Sequence, residues 1–476
     1  MHDTYESPLG GRYASRAMLE LWSPKTRHGL WRRLWLALAE AQQELGAEIP
    51  NVAISQMRQH LDDIDFDAVA AYERRFRHDV MAHVHAFGDD APAAKPFIHL
   101  GATSAYVTDN ADLILMRRGL DLLRGRAIVV LTELASFART WKDEPTLGYT
   151  HLQPAQLTTV GKRATLWIQD LVLDLHDIEY RRSTLPFRGV KGTTGTQASF
   201  LEIFGGDHEK VRKLDRLVTS RMDFATALPV TGQTYTRKID AGVLSAVSGV
   251  AASAAKFASD MRMLQSFGEM EEPFESEQVG SSAMAYKRNP MRSERINSLS
   301  RFVLNLEANA NQTHSVQYLE RTLDDSANRR LAIPESFLAT DAILLIYANI
   351  ASGLVVNKER IRQRVEAELP FMATEKLIVQ AVAAGGDRQT AHEVIRGHSM
   401  AASKALKEGA TRNDLLDRLS ADSSLGLSAE TVSAIADASQ YTGRAPQQVD
   451  EFLDEVVAPL LAGAGSVPQD KPELRV

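Results

Sequence analysis

Residues 280–295, GSSAMAYKRNPMRSER, gather side chains that can do chemistry: a glycine, two adjacent serines, a lysine, an asparagine and three arginines. Gly280, Ser281 and Ser282 carry no branched or bulky group, so the backbone there is free to move and to approach a ligand closely. Pro290 forbids a helix through Asn289 and suits the first turn of a new one, which the pattern extends from Glu294 to Leu306. Lys287, Arg288 and Asn289 precede that helix start, and with the positive end of its dipole they offer donors to an anion. The expected ligand is negatively charged.

Five other polar runs stand out. In THLQPAQLTTVGKR (150–163) Pro154 comes early and a helical run follows, which puts His151 in the loop before a helix. A lone histidine is more often structural than catalytic, but three threonines and two glutamines around it read as a pocket wall. In ERTLDDSANRR (320–330) the bland reading is a solvated helix face whose ion pairs contribute little. Its position between apolar stretches favours a helix terminus that points Arg321, Ser326 and Arg330 into a cleft, where guanidinium forks suit carboxylate and phosphate. In RHDVMAHVHAF (77–87) no two of His78, His83 and His85 share a helix face at the i, i+4 spacing of metal-binding helices, so no metal site is expected. Arg77, His78 and Asp79 form a polar face instead, with Val80, Met81 and Val84 packing inward. In HLGATS (99–104) Thr103 or Ser104 caps a helix beginning near Asp109, with free N–H groups suited to a carboxylate. KGTTGTQAS (191–199) lacks both phosphate-loop spacings and reads as a flexible or turn segment.

Long helices must position these runs. Leu113, Met116, Leu120, Leu123, Ala127, Val130, Leu134 and Phe137 alternate three- and four-residue steps. Ile239, Val243, Ala246, Val250, Ala254, Phe257, Met261 and Leu264 repeat the pattern. One chain's bundle leaves such stripes partly exposed, so a homo-oligomer is expected. WRRLWLALAEAQQELG (31–46) reads as an earlier helix stopped by Gly46, and RYAS (12–15) before it as a surface turn. After Gly353 the helices shorten, with breaks at Pro370, Gly385–Gly386 and Gly409, and the tail from 463 reads as disordered. The expected fold is all-α: an N-terminal helical domain (1–103), a central long-helix bundle (104–356) and a C-terminal helical domain (357–476).

Composition removes whole classes. The chain has no cysteine, which excludes disulfides, thiolate metal sites and thiol nucleophiles. A formal net charge of −7 argues against a general nucleic-acid binder. No window reaches the ~18 uninterrupted apolar residues that span a bilayer, and MHDTYESPLGGRY lacks a signal-peptide pattern, so a cytoplasmic protein with no membrane partner is expected.

GSSAMAYKRN resembles the fumarase/aspartase signature GSSxMPxKxN, with Ala285 where proline is usual. RYAS, RHDVMAH (77–83), HLGATS, THLQPAQLTT (150–159), TGQTYTRK (231–238) and ERTLDDSANRR together are similar to the adenylosuccinate lyases of that superfamily, over nearly the whole chain. The resemblance implies elimination of fumarate from adenylosuccinate, giving AMP, and from the succinyl-carboxamide ribotide SAICAR, giving AICAR. It implies a homotetramer with active sites shared between chains, and no cofactor. Carried over residue by residue, Ser281 is the base and Ser282 the fallback, His151 is the general acid, and Glu294 supports the acid–base step. Arg12, Tyr13, Arg77, His78, Asp79, Thr103, Ser104, Gln233, Lys287, Asn289, Arg295, Arg321, Ser326 and Arg330 bind a small polyanionic substrate. The alternatives are a sister activity of the same fold, such as argininosuccinate lyase or fumarase, and a catalytically silent binding protein.

Overall fold

The computed structural model describes residues 3–464 apart from 276, 427 and 436. The expected disorder of the tail therefore falls outside the described residues from 465 onward. Helix α1 (Pro24–Glu44) opens on Ser23, whose hydroxyl accepts from the Thr26 N–H, with Pro24 in the first turn. Helix α2 spans Asp79–Asp90 and α3 Ser104–Thr140. A two-stranded antiparallel hairpin, β1 (Pro145–Thr150) and β2 (Gln153–Thr159), leads into α4 (Val160–Thr184). The long helices α5 (Lys238–Phe267), α6 (Met291–Ser315) and α7 (Asp324–Ser352) follow, then α8 (Lys358–Met372) and shorter helices.

Helices α3 to α7 form the central bundle: α3 packs on α4 and α7, α5 on α4, α6 and α7, and α6 on α7. The two apolar stripes drive this. Leu113, Leu120, Leu123, Val130 and Leu134 of α3 are fully buried, as are Val250, Ala254, Phe257 and Met261 of α5. Each large apolar side chain so buried contributes about 1.5–3 kcal/mol. Helices α5 and α7 are long and apolar enough to cross a membrane by composition, but 61% and 72% of their apolar windows are buried inside the protein. The main core runs from Leu9 to Val457 and takes in Trp31 and Trp35 of α1, while Ala373, Leu377, Ile395, Leu415 and Ile435 belong to a second core.

The all-α expectation is met, and three local expectations are corrected. Helix α3 starts at Ser104, five residues before Asp109, because its apolar stripe continues back through Tyr106 and Val107. Pro370 does not break α8, which continues to Met372; the proline costs only the bond its N–H would have made to Glu366. On α2, Val80 is buried but Met81 and Val84 are half-buried, and Ala82, His83, Ala86 and Phe87 form the inward face with it.

Candidate active site

The start of α2, the start of α3 and the start of α7 face α1 around a cleft of about 1190 Å³. It is lined by Arg77, His78, Asp79, Ser104, Arg321, Ser326 and Arg330. Arg77 is left-handed (φ 54°) and ends the preceding helix, Phe66–Phe76, by donating its N–H to Glu73 O. The turn brings His78 to the N-cap of α2, where Nδ1 accepts from the Met81 N–H at 3.3 Å. Asp79 accepts from Arg330 Nη2 at 2.6 Å. Burial pushes the Asp79 carboxyl up, but the Val80 N–H and Arg330 outweigh it and hold it below its ordinary value.

Thr103 is the N-cap of α3, yet neither it nor Ser104 caps through its hydroxyl. Thr103 Oγ1 instead accepts from Gln233 Nε2 at 3.2 Å, and the Gln233 N–H donates to Glu320 O at 3.0 Å. Gly232 beside it is required, since a Cβ there would stand 2.6 Å from Glu320 O. Thr103 and Gln233 thus tie the start of α3 to the segment that carries Arg321. Residues 191–197 back this contact: Lys191 is buried against Asp215 at 2.6 Å, and a Cβ on Gly195 would meet Thr231 O at 1.8 Å. The segment is a fixed turn.

The floor of the cleft is a buried ion network the sequence reading missed, with Asp109, Asp112, Arg237, Asp325 and Arg329 all among the lining residues. Arg237 Nη2 meets Asp109 Oδ1 at 3.1 Å and Asp325 Oδ2 at 2.7 Å. Arg329 meets Asp240 at 2.7 Å, Asp112 at 3.0 Å and the Tyr235 hydroxyl at 2.6 Å. Burial opposes both guanidinium charges and Arg329 lowers Arg237 further, but the surrounding carboxylates and Tyr235 raise both above the ordinary arginine value. The signal was available: Asp109 and Asp112 sit three apart just before the apolar run Leu113–Met116 of α3, and charge on a buried face demands partners.

The cleft's inner wall is aromatic. His28 and His83 lie tilted against each other with centroids 4.0 Å apart, and His83 stands edge-on to Trp31 at 5.1 Å. Burial holds both imidazoles neutral, His28 down to about 3 and His83 to about 4.

The remaining predicted residues do not line this cleft. His151 lies not in a loop before a helix but at the tip of the β1–β2 hairpin. His151 (φ 54°) and Leu152 (φ 58°) form its two-residue loop, the left-handed pair a tight hairpin demands, and Pro154 belongs to β2. The imidazole is exposed. Ser281 Oγ accepts from the N–H groups of Ala283 (3.4 Å) and Met284 (3.1 Å), and Asn289 Nδ2 closes the loop by donating to Gly280 O at 2.9 Å. Gly280 serves this closure, since a Cβ there would lie 2.3 Å from Lys287 O. Lys287 and Glu294 are exposed, and Arg295 is half-buried. The expectation that the start of α6 offers its N–H groups to a ligand is corrected: buried Glu272 takes those of Arg292 (2.9 Å) and Ser293 (3.0 Å). Arg12 and Tyr13 end a π-helical turn, Leu9–Tyr13. RYAS is more than a surface turn, for buried Ser15 caps the next helix and its N–H donates to Asp341 Oδ2 at 2.8 Å.

Comparison with known proteins follows the same lines. A lyase family model matches residues 17–304, and a model described as the adenylosuccinate lyase C-terminus matches 370–452. The chain is 51% identical to the adenylosuccinate lyase of Saccharomyces cerevisiae, covering 96% of this chain and 95% of that one. It is 49% identical to that of Schizosaccharomyces pombe over 100% and 99%, and 46% identical to that of Schistosoma mansoni over 96% of each. Among solved structures, a fumarate lyase from Mesorhizobium sp. BNC1 superposes with a TM-score of 0.81 at 22% identity, covering 95% of this chain and 99% of that one. The 3-carboxy-cis,cis-muconate lactonizing enzyme from Pseudomonas putida gives 0.82 at 22%, covering 94% and 98%. Those two share the fold. The identity along the full length goes further: the chain belongs to the adenylosuccinate lyase family.

Proposed function

We propose that the protein eliminates fumarate from adenylosuccinate, giving AMP, and from SAICAR, giving AICAR, in purine nucleotide biosynthesis. The observation that carries this is the cleft, where Arg77, Arg321 and Arg330 converge with Ser104 and Ser326 in a chain half identical to adenylosuccinate lyases. Three guanidinium groups suit the phosphate and two carboxylates of such a substrate.

The hard step is removing a weakly acidic C–H proton beside a carboxylate, since the carbanion is stabilised only as a doubly negative aci-carboxylate. Ser281 takes that proton. Two backbone N–H groups already point at its Oγ, and hydrogen bonds to an oxyanion favour the ionised form. Lys287 and Asn289 supply further stabilisation of the developing charge. The C–N bond breaks, its electron pair stays on nitrogen, and His151 protonates that nitrogen as fumarate leaves. Glu294 tunes the acid–base step. Thr103, Gln233, Arg12, Tyr13 and Arg295 complete substrate binding. No cofactor enters.

The cleft holds binding groups, whereas the proton-transfer groups stand on an exposed hairpin tip and an exposed loop. This supports a site completed by neighbouring copies in a homotetramer. Leu166, Leu173 and Tyr180 are 51%, 55% and 58% exposed at seven-residue intervals along α4, an apolar stripe of the kind a second helix covers. We place the enzyme in the cytoplasm. The test is a UV assay comparing adenylosuccinate, argininosuccinate and fumarate: turnover of adenylosuccinate alone is expected, and a preference for either of the others sinks the assignment.

A further inference from the structure

A second cavity, of about 770 Å³, lies where α1, the middle of α3, the end of α4 and residues 221–226 meet. It shares no lining residue with the cleft. Five arginines line it: Arg33 from α1, Arg117 and Arg118 from α3, Arg182 from α4, and Arg221. Its three carboxylates are Glu40, Asp121 and Asp223.

The pairing inside is lopsided. Asp121 is engaged by Arg182, and Glu40 by Arg58, which is not in the lining, and more distantly, at 3.8 Å, by Arg221. Arg33 is satisfied by Asp62 at 3.0 Å and Arg221 by Glu44 at 2.7 Å, both outside the cavity. Arg117 is left with Asp223, whose side chain is 99% exposed and comes no nearer than 3.6 Å. Its guanidinium lies 3.9 Å over the Phe224 ring and donates to the carbonyl oxygens of Met222 and Asp223. Burial lowers its pKa against the opposing pull of Asp223 and Asp121, and Arg118 at the rim and Arg182 add to the cationic field upon it. A half-buried guanidinium whose carboxylate partner is solvent-exposed and 3.6 Å away keeps part of its desolvation cost, and an incoming anion relieves it.

We propose that this cavity is a second ligand site, for a phosphorylated small molecule of nucleotide size, with Arg117 and Arg118 holding its phosphates. Guanidinium forks bind phosphate oxygens in pairs, and arginines from four separate elements suit more than one phosphate group. The volume lies within the ~300–1,000 Å³ range of small-molecule sites and is larger than one inorganic ion needs. The inference is independent of the proposed elimination.

The test is calorimetric titration of the full-length protein carrying Arg321→Gln and Arg330→Gln, which disable the cleft, with ATP, AMP, pyrophosphate and adenosine as probes. Binding of ATP near one equivalent per chain is expected, with adenosine silent. Adding Arg117→Gln or Arg118→Glu weakens it at least about tenfold. Arg118 is exposed, so its substitution leaves the fold and the catalytic turnover of the otherwise native protein unchanged. No ATP binding in the cleft-disabled protein, or binding indifferent to Arg118→Glu, overturns the proposal. So does pyrophosphate binding as tightly as ATP. A change of assembly mass with Arg118→Glu and no ATP binding makes the groove an interface between copies and also overturns it.

Discussion

Arg330 Nη2 donates to Asp79 Oδ2 at 2.6 Å across 251 residues of sequence, joining the start of α7 to the start of α2 at the mouth of the cleft. One of the cleft's guanidinium groups is therefore met by the protein's own carboxylate, and an anionic substrate must share or displace it. The pair is partly exposed, so its own contribution to stability is small. Pro334, which cannot donate to the Arg330 carbonyl, interrupts the ladder of α7 just beyond.

Arg330→Gln is expected to raise KM for adenylosuccinate about 10- to 100-fold, the loss of one charge-assisted pair, with the melting temperature unchanged. Steady-state kinetics beside thermal melting check this. A drop in melting temperature with KM unchanged would show the pair to be a structural clamp.

Ser281→Ala and His151→Ala are each expected to lower kcat by roughly 10²–10⁴ without loss of stability, as neither side chain is packed in the core. If neighbouring chains share each site, mixing the two inactive variants under subunit exchange restores roughly a quarter of the sites. Turnover within tenfold of the native protein for either single variant would rule out its proposed role.

Arg329 lies buried on the cleft floor against Asp240, Asp112 and Tyr235. Arg329→Met strands those carboxylates and is expected to destabilise the chain by about 3–5 kcal/mol, read as a lower urea midpoint. Arg329→Lys is not expected to rescue it, because one ammonium cannot reproduce the three-way fork. An unchanged midpoint would refute the network's role.

His83 is 4% exposed, and burial followed by Arg32 lowers its imidazole to about 4. The unfolded chain binds a proton there near 6.5 and the folded chain does not until about 4, so stability rises with pH across that window and is lost as pH falls through it. His83→Gln removes the group. The stability lost between pH 7 and 4.5 is then expected to shrink by on the order of 2 kcal/mol. Urea titrations at the two pH values measure this, and an unchanged difference would place the histidine's neutral state in doubt.

The helical class and the chemistry-bearing runs were legible in the sequence because both are local. A 3.6-residue apolar period survives as the buried stripes of α3 and α5, and a segment as polar as residues 320–330 has few roles away from a surface or a cleft. What the sequence could not determine came from partners far along the chain. Asp109 and Arg237 are 128 residues apart, and their burial is tolerable only because the fold brings the start of α3 to the residue before α5. Glu272 closes the start of α6 from twenty residues upstream, removing an anion site that the local pattern offered. His151 sits in a left-handed two-residue turn that the register of β1 on β2 imposes, and strand β2 stands where the run after Pro154 suggested helix. Short-range periodicity selects elements; which charges end up sharing a low-dielectric interior is settled only when those elements pack.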